Sequence, residues 1–87
     1  MKLDYMFTDH MVLQRHKPIR IYGTGDGYIT VTLGDASERV LSRGGKWEAV
    51  LPPMEAGGPY ELTVADSVMS VTLRDVLIGE VWIASGQ

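Results

Sequence analysis

At 87 residues with a formal net charge of −3, the chain has room for one small core, because a domain of this size buries only about two-thirds of the surface its unfolded chain exposes. Its 8 lysines and arginines are spread among 11 acidic residues, which argues against nucleic acid and against an anionic membrane surface, since both require a basic stripe or patch. There is no cysteine, so no disulfide, thiolate nucleophile or thiolate zinc site can form, and no apolar run reaches the ~20 residues of a membrane helix.

The start, Met1-Lys2-Leu3-Asp4-Tyr5, lacks the apolar stretch of a secretory signal. A native Met1 favours the cytoplasm, and a trimmed start leaves the compartment open. Leu3 to Gln14 contains the least ordinary string of the chain, Phe7-Thr8-Asp9-His10-Met11-Val12-Leu13-Gln14-Arg15. Asp9-His10 before a short apolar run suits a turn into a brief strand.

After Pro18 the apolar positions recur at period two. Ile19, Ile21 and Gly23 alternate with Arg20 and Tyr22, and Gly25-Asp26-Gly27 supplies positive-φ positions for a hairpin turn. Tyr28 to Leu33 places Ile29, Val31 and Leu33 on one face and Tyr28, Thr30 and Thr32 on the other. Gly34-Asp35 turns the chain into a polar strand, Ser37 to Ser42, whose Glu38 and Arg39 suit a sheet edge. Arg43-Gly44-Gly45 reverses it again, and Trp47, Ala49 and Leu51 then face away from Lys46, Glu48 and Val50. Pro52-Pro53 ends that strand, since proline cannot donate to a ladder. Met54 to Pro59 reads as a loop. Tyr60, Leu62 and Val64 alternate with Glu61, Thr63 and Ala65; Asp66-Ser67 is a tight connection, and Val71 and Leu73 continue the inward face. About seven short strands with frequent turn signals predict an all-β fold, an antiparallel sandwich of immunoglobulin-like general architecture, with an open barrel as the alternative.

Several groups invite a chemical reading. Gly23 to Gly27 has the look of a phosphate-cradling loop, but that chemistry needs a following helix whose N-terminal amides face the anion, and a strand follows. His10, His16, Asp4 and Asp9 match no metal-ligand spacing. A Ser-His-Asp triad would have to draw on Ser37, Ser42, Ser67, Ser70 or Ser85 with His10 or His16, and none of these serines stands in a Gly-x-Ser-x-Gly elbow. Trp47, Tyr28 and Tyr60 could make a sugar platform, although a tryptophan in register with Ala49 and Leu51 is more often core. No catalytic, cofactor-binding or metal-binding residue is therefore expected within residues 1–87.

The last stretch breaks the pattern. In Asp75-Val76-Leu77-Ile78-Gly79-Glu80-Val81-Trp82-Ile83-Ala84-Ser85-Gly86-Gln87, the run Val81 to Ala84 is apolar at every position, as in a strand covered on both faces within an α/β sheet. This stretch and Phe7 to Arg15 together resemble the two ends of the N-terminal β-domain of sialate O-acetylesterases, carbohydrate esterases of the SGNH hydrolase superfamily. Thr8 stands where serine is common. Weaker likenesses lie between, at Lys17-Pro18-Ile19, Gly45-Lys46-Trp47, Leu51-Pro52-Pro53-Met54 and Gly57-Gly58-Pro59-Tyr60.

The resemblance implies that Ser-Asn follows Gln87 and that this serine, not Ser85, is the nucleophile, assisted by a His-Asp pair far downstream. It implies a sandwich over 1–79 and residues 80–87 as the first strand of a hydrolase domain beyond this sequence. On this reading the chain alone is not an enzyme. It is a scaffold whose partner is the catalytic domain of the same parent, which removes acetyl groups from sialic acid or related sugars. The orphaned strand is expected to add to an open sheet edge, either of its own sandwich or, in preference, of a second copy, giving a homodimer or chain swap with Gly79, where the period changes, as the hinge. An independent carbohydrate-binding or adhesion module is the alternative.

Overall fold

The computed structural model describes residues 1–4 and 7–80. Among these, strands run in the order β1 (Lys2–Leu3), β2 (Val12–Gln14), β3 (Ile19–Thr24), β4 (Tyr28–Leu33), β5 (Ala36–Leu41), β6 (Lys46–Leu51), β7 (Gly57–Ala65) and β8 (Ser70–Gly79). They divide between two sheets, one of order β1-β3-β6 and one of order β2-β8-β7-β4-β5. The expectations for Val81 to Ala84 and Ser85 fall outside the described residues.

Period-two patterning explains why these segments are strands and why the sheets face each other. Ile19 and Ile21 of β3, Ile29, Val31 and Leu33 of β4, and Trp47, Ala49 and Leu51 of β6 point into one core. Leu62 and Val64 of β7 and Val76 and Ile78 of β8 complete it. Each of the larger side chains contributes roughly 1.5–3 kcal/mol by leaving water. Trp47 is 3% exposed, and its indole N–H, which could not be buried unpaired, donates to the Thr24 carbonyl at 3.1 Å. β5, the polar strand, lies at a sheet edge as its charges suggest. It joins β4 through Gly34-Asp35, with Leu33 opposite Ala36 and Gly34 at φ 57°, a conformation that only glycine adopts without strain.

The structure corrects the sequence reading in four places. Gly25-Asp26-Gly27 is a turn but not a hairpin turn, because β3 and β4 lie in different sheets. The chain crosses over there, and the Gly25 amide is tied to the Gly45 carbonyl at 2.9 Å. Residues 54–59 are not all loop: β7 begins at Gly57, with Gly57 opposite Ile78 and Tyr60 opposite Val76. A proline is tolerated at position 59 because β4 pairs with β7 only from Leu62 onward, leaving one side of this segment without a ladder. The sandwich is not wholly antiparallel, since β2 runs parallel to β8. Finally, the inward face of β8 changes phase. Leu62 pairs with Leu73 but Tyr60 with Val76, so one extra residue is absorbed at a bulge where Asp75 takes φ 57°. Leu73, Val76 and Ile78 can thereby all face the core.

The β7–β8 connection is closed by Asp66, whose carboxylate accepts the amides of Met69 and Val68, each at 2.8 Å. Those two bonds, with a smaller contribution from the N-terminal ammonium 3.7 Å away, hold its pKa below the ordinary value. A carboxyl with a lowered folded-state pKa stabilises the fold above its unfolded pKa, about 4, and that stability is lost as pH falls through the folded value. Asp66→Asn should therefore lower the thermal midpoint near neutral pH and flatten its fall below about pH 4. A pH series of melts with identical acid limbs for both proteins would show that the loop does not depend on this charge.

Candidate functional site

Phe7 to Arg15 earns its unusual composition by fastening itself along β8. The Asp9 carboxylate accepts the Arg74 amide at 2.7 Å, and the His10 amide donates to the Arg74 carbonyl at 2.9 Å. The Leu77 amide donates to the Met11 carbonyl at 3.0 Å, and Val12, Leu13 and Gln14 then run beside Leu77, Ile78 and Gly79. The Arg15 amide reaches the Gly79 carbonyl at 2.9 Å. Residues 9–15 thus track residues 74–80 from the bulge to the end of β8. Leu13 packs against the core and Phe7 meets Tyr22 edge-on, with centroids 5.0 Å apart.

The far end of this zipper is polar. Arg15 Nε donates to Glu80 at 2.6 Å and Gln14 Nε2 to the other carboxylate oxygen at 3.4 Å. Hydrogen bonds from Gln14 and then Arg15 keep the Glu80 pKa below its ordinary value. Val12 and Leu77, paired across the two strands, are both exposed on the outer face. At the other end, Asp9→Ala would leave the Arg74 amide at the bulge without its acceptor, and should cost about 1–3 kcal/mol in denaturant melts. No loss would mean that water replaces the carboxylate there.

A second surface lies on the outer face of the three-stranded sheet. Register places Lys2, Thr24 and Lys46 in one row across β1, β3 and β6, while Tyr22 stands opposite Glu48. Two adjoining hollows, of about 790 and 400 Å³, open at this face and along its β6 edge; both are lined by Tyr22, Gly23 and Lys46, and the larger also by Val40 and Leu41 of β5 in the other sheet. Arg20 and Arg43 border the larger and Lys2 and Asp4 the smaller. The lysines and arginines that look scattered along the sequence are therefore gathered in space, with four of the 8 on this face. Arg20 is paired with Glu48, from Nε at 2.9 Å and from a terminal guanidinium nitrogen. Among the described residues, Lys2, Arg43 and Lys46 have no ion-pair partner.

The residues singled out in the sequence are dispersed. His10 lies 3.0 Å from the Asp75 carboxylate and His16 2.9 Å from that of Glu55, all exposed. Both histidines sit at turns with positive φ. Asp9 is spent on the Arg74 amide, and the Asp4 amide donates to the Tyr22 carbonyl at 3.1 Å. Among the described residues no three histidines or carboxylates converge as a metal site. Ser37 faces Thr32, hydroxyl to hydroxyl at 3.3 Å. Ser42 donates its amide to the Gly27 carbonyl, Ser67 lies in the β7–β8 connection, and Ser70 begins β8. Of the three aromatics, Trp47 is core, Tyr28 lies under the Arg39 guanidinium at 4.1 Å, and Tyr60 is half-buried. The aromatic that stands among the gathered cations is a fourth one, Tyr22. The alternation of β3 places it beside Arg20, on the side opposite Ile19 and Ile21.

No protein-family model matches the chain. It is 36% identical over 93 residues to a mouse sialate O-acetylesterase, which covers 91% of this chain and 17% of the relative. The human sialate O-acetylesterase is 35% identical over 91 residues, 88% of this chain and 17% of the relative. The chain thus spans about one-sixth of the length of these relatives. Among solved structures it is similar to a carbohydrate acetylesterase from Xanthomonas citri, with TM-score 0.89 and 34% identity over 93% of this chain and 19% of that one. Among the described residues, no helix is long and apolar enough to cross a membrane.

Proposed function

We propose that this chain, a homologue of sialate O-acetylesterases over about nine-tenths of its length, is the non-catalytic β-sandwich of an enzyme that removes acetyl groups from sialic acid or related sugars. The observation that carries the reading is the fastening of residues 9–15 onto residues 74–80. It fastens the end of the last described strand, with Gln14 and Arg15 closing on Glu80. The all-apolar run Val81 to Ala84 begins one residue later. The sandwich over 1–79 is then a rigid base, and residues 80–87 open the hydrolase domain, whose nucleophilic serine, His-Asp pair and oxyanion donors all come from beyond Gln87. Sandwich architecture alone supports no function, so an independent glycan-binding or adhesion role stands as the second reading, favoured by the gathered cations around Tyr22.

The 87-residue chain should hydrolyse p-nitrophenyl acetate no faster than a heat-denatured control. Saturable turnover abolished by replacing any one of its own serines would overturn the scaffold reading. Without its covering domain, the apolar run should also find an open sheet edge on a second copy. Sedimentation of the chain and of a version ending at Glu80 should then give association only in the longer one. Equal association would place the contact elsewhere.

A further inference from the structure

We infer that the outer face of β2 and β8, where Val12 and Leu77 lie beside the bare backbone of Gly79, is the surface on which the hydrolase domain of the same parent chain docks. This rests on the scaffold reading, in which that domain opens at Glu80. Val12 and Leu77 stand opposite each other in the parallel ladder and are 44% and 42% exposed. Leu77 also reaches over the start of β7, since a Cβ on Gly58 would lie 3.0 Å from its Cδ2. At either end this apolar ground is closed by polar groups that already hold one another. His10 meets Asp75 at 3.0 Å at one end, and Gln14 and Arg15 hold Glu80 at the other. An apolar centre within a polar rim is the anatomy of an interface. Because the rim groups are paired, covering this face strands no lone charge away from water.

Gly79 is the second observation. Among the described residues, every other glycine either takes a positive φ or would press a Cβ to within 3.1 Å of a neighbour. Gly79 does neither: the nearest atom to an added Cβ is Val12 Cγ1 at 4.0 Å, an ordinary contact. Glycine weakens a strand, and one without a cause inside the fold marks a place where another backbone comes close from outside. Size and tether then select the occupant. Two partly exposed side chains offer far less than the roughly 800 Å² per partner that a freely associating complex buries. A domain joined to the same strand needs no such area, because the tether sets its local concentration. Leu77 is three residues from Glu80, about 10 Å along an extended strand. The other exposed cross-strand pair, Tyr28 and Leu41, lies at the Ser70 end of the sheet, roughly 30 Å from Gly79.

The chain has no cysteine, so single introduced thiols report on cover. Val12→Cys, Leu77→Cys and, as control, Leu41→Cys would each be placed in the 87-residue chain. Each would also be placed in a chimaera whose residues 1–80 replace the matching segment of the Xanthomonas citri carbohydrate acetylesterase. Alkylation by iodoacetamide, followed peptide by peptide by mass spectrometry, should be at least about tenfold slower at positions 12 and 77 in the chimaera, since a covered thiol is inert. Position 41 should react equally fast in both. Gly79→Ala should hold or raise the thermal midpoint of the chain and lower that of the chimaera. Where the chimaera does not fold, thiols at the three matching positions of the Xanthomonas citri enzyme should show the same contrast between its native and denatured forms. The proposal fails if either seam thiol reacts as fast in the folded larger protein as in the uncovered form, or if Gly79→Ala moves both midpoints alike. A folded chimaera that shields both thiols yet lacks turnover would count against the scaffold reading and not against this surface.

Discussion

Leu62→Ala is expected to cost about 2–5 kcal/mol in equilibrium denaturation, the usual range for emptying a packed leucine site. Leu62 is 0% exposed, stands opposite both Leu33 and Leu73, and faces the core between the two sheets. Paired strands on both sides, β4 and β8, hold its walls, so the space cannot collapse cheaply. Total stability for a domain of this size is about 5–10 kcal/mol, and the variant should lie close to its unfolding threshold at ambient temperature. Thr30→Ala is the internal control. It sits on the outer face of β4 between Arg39 and Ala65, half-buried, and should cost well under half as much. Equal losses for the two would mean that the inward and outward faces have been exchanged.

Gly23→Ala should be of similar severity for the opposite reason. A Cβ at this position would lie 2.0 Å from the Lys2 carbonyl oxygen and 2.8 Å from the Trp47 ring. The first is backbone and the second a buried indole, so neither can retreat without breaking something. Either β1 leaves its place beside β3 or Trp47 moves and gives up its bond to the Thr24 carbonyl. Overpacking of this kind costs about 1–3 kcal/mol and sometimes more. The expected signature is specific: a lower midpoint together with a shift of the tryptophan emission to the red as the core opens. An unchanged emission spectrum with a lower midpoint would assign the cost to β1 alone.

Much of this architecture is written in the residues as simple alternation. Ile29-Val31-Leu33 and Trp47-Ala49-Leu51 name their inward faces without help, and Gly34 and Gly44-Gly45 name their turns. What could not be read is what depends on partners distant in sequence. Whether Gly25-Asp26-Gly27 makes a hairpin or a crossover is decided by which sheet accepts β3, and two positive-φ glycines serve both. The start of β7 at Gly57 was hidden because Gly-Gly-Pro is ordinary loop chemistry unless a strand such as β8 pairs with one side only. The parallel course of β2 is permitted by the long excursion between Gln14 and Ser70, since parallel neighbours need a connection of at least about a dozen residues.

The surfaces were less legible than the core. Asp9 and His10 suggested a turn, and a turn is what they make, but their role as anchors on Arg74 needs a bulge that no local pattern announces. The cations appear scattered in sequence because Lys2, Arg20, Arg43 and Lys46 come from β1, β3 and the turn into β6, and only the register of the three-stranded sheet brings them to one face.

The scaffold account is tested most directly by transplantation. Residues 1–80 of this chain would replace the matching segment of the Xanthomonas citri carbohydrate acetylesterase, and hydrolysis of p-nitrophenyl acetate would be compared among the parent, the chimaera and a form lacking the segment. The account predicts a folded, active chimaera and an inactive or unstable deletion form. A chimaera with native-like circular dichroism but no turnover, or a deletion form as active and as stable as its parent, would contradict it.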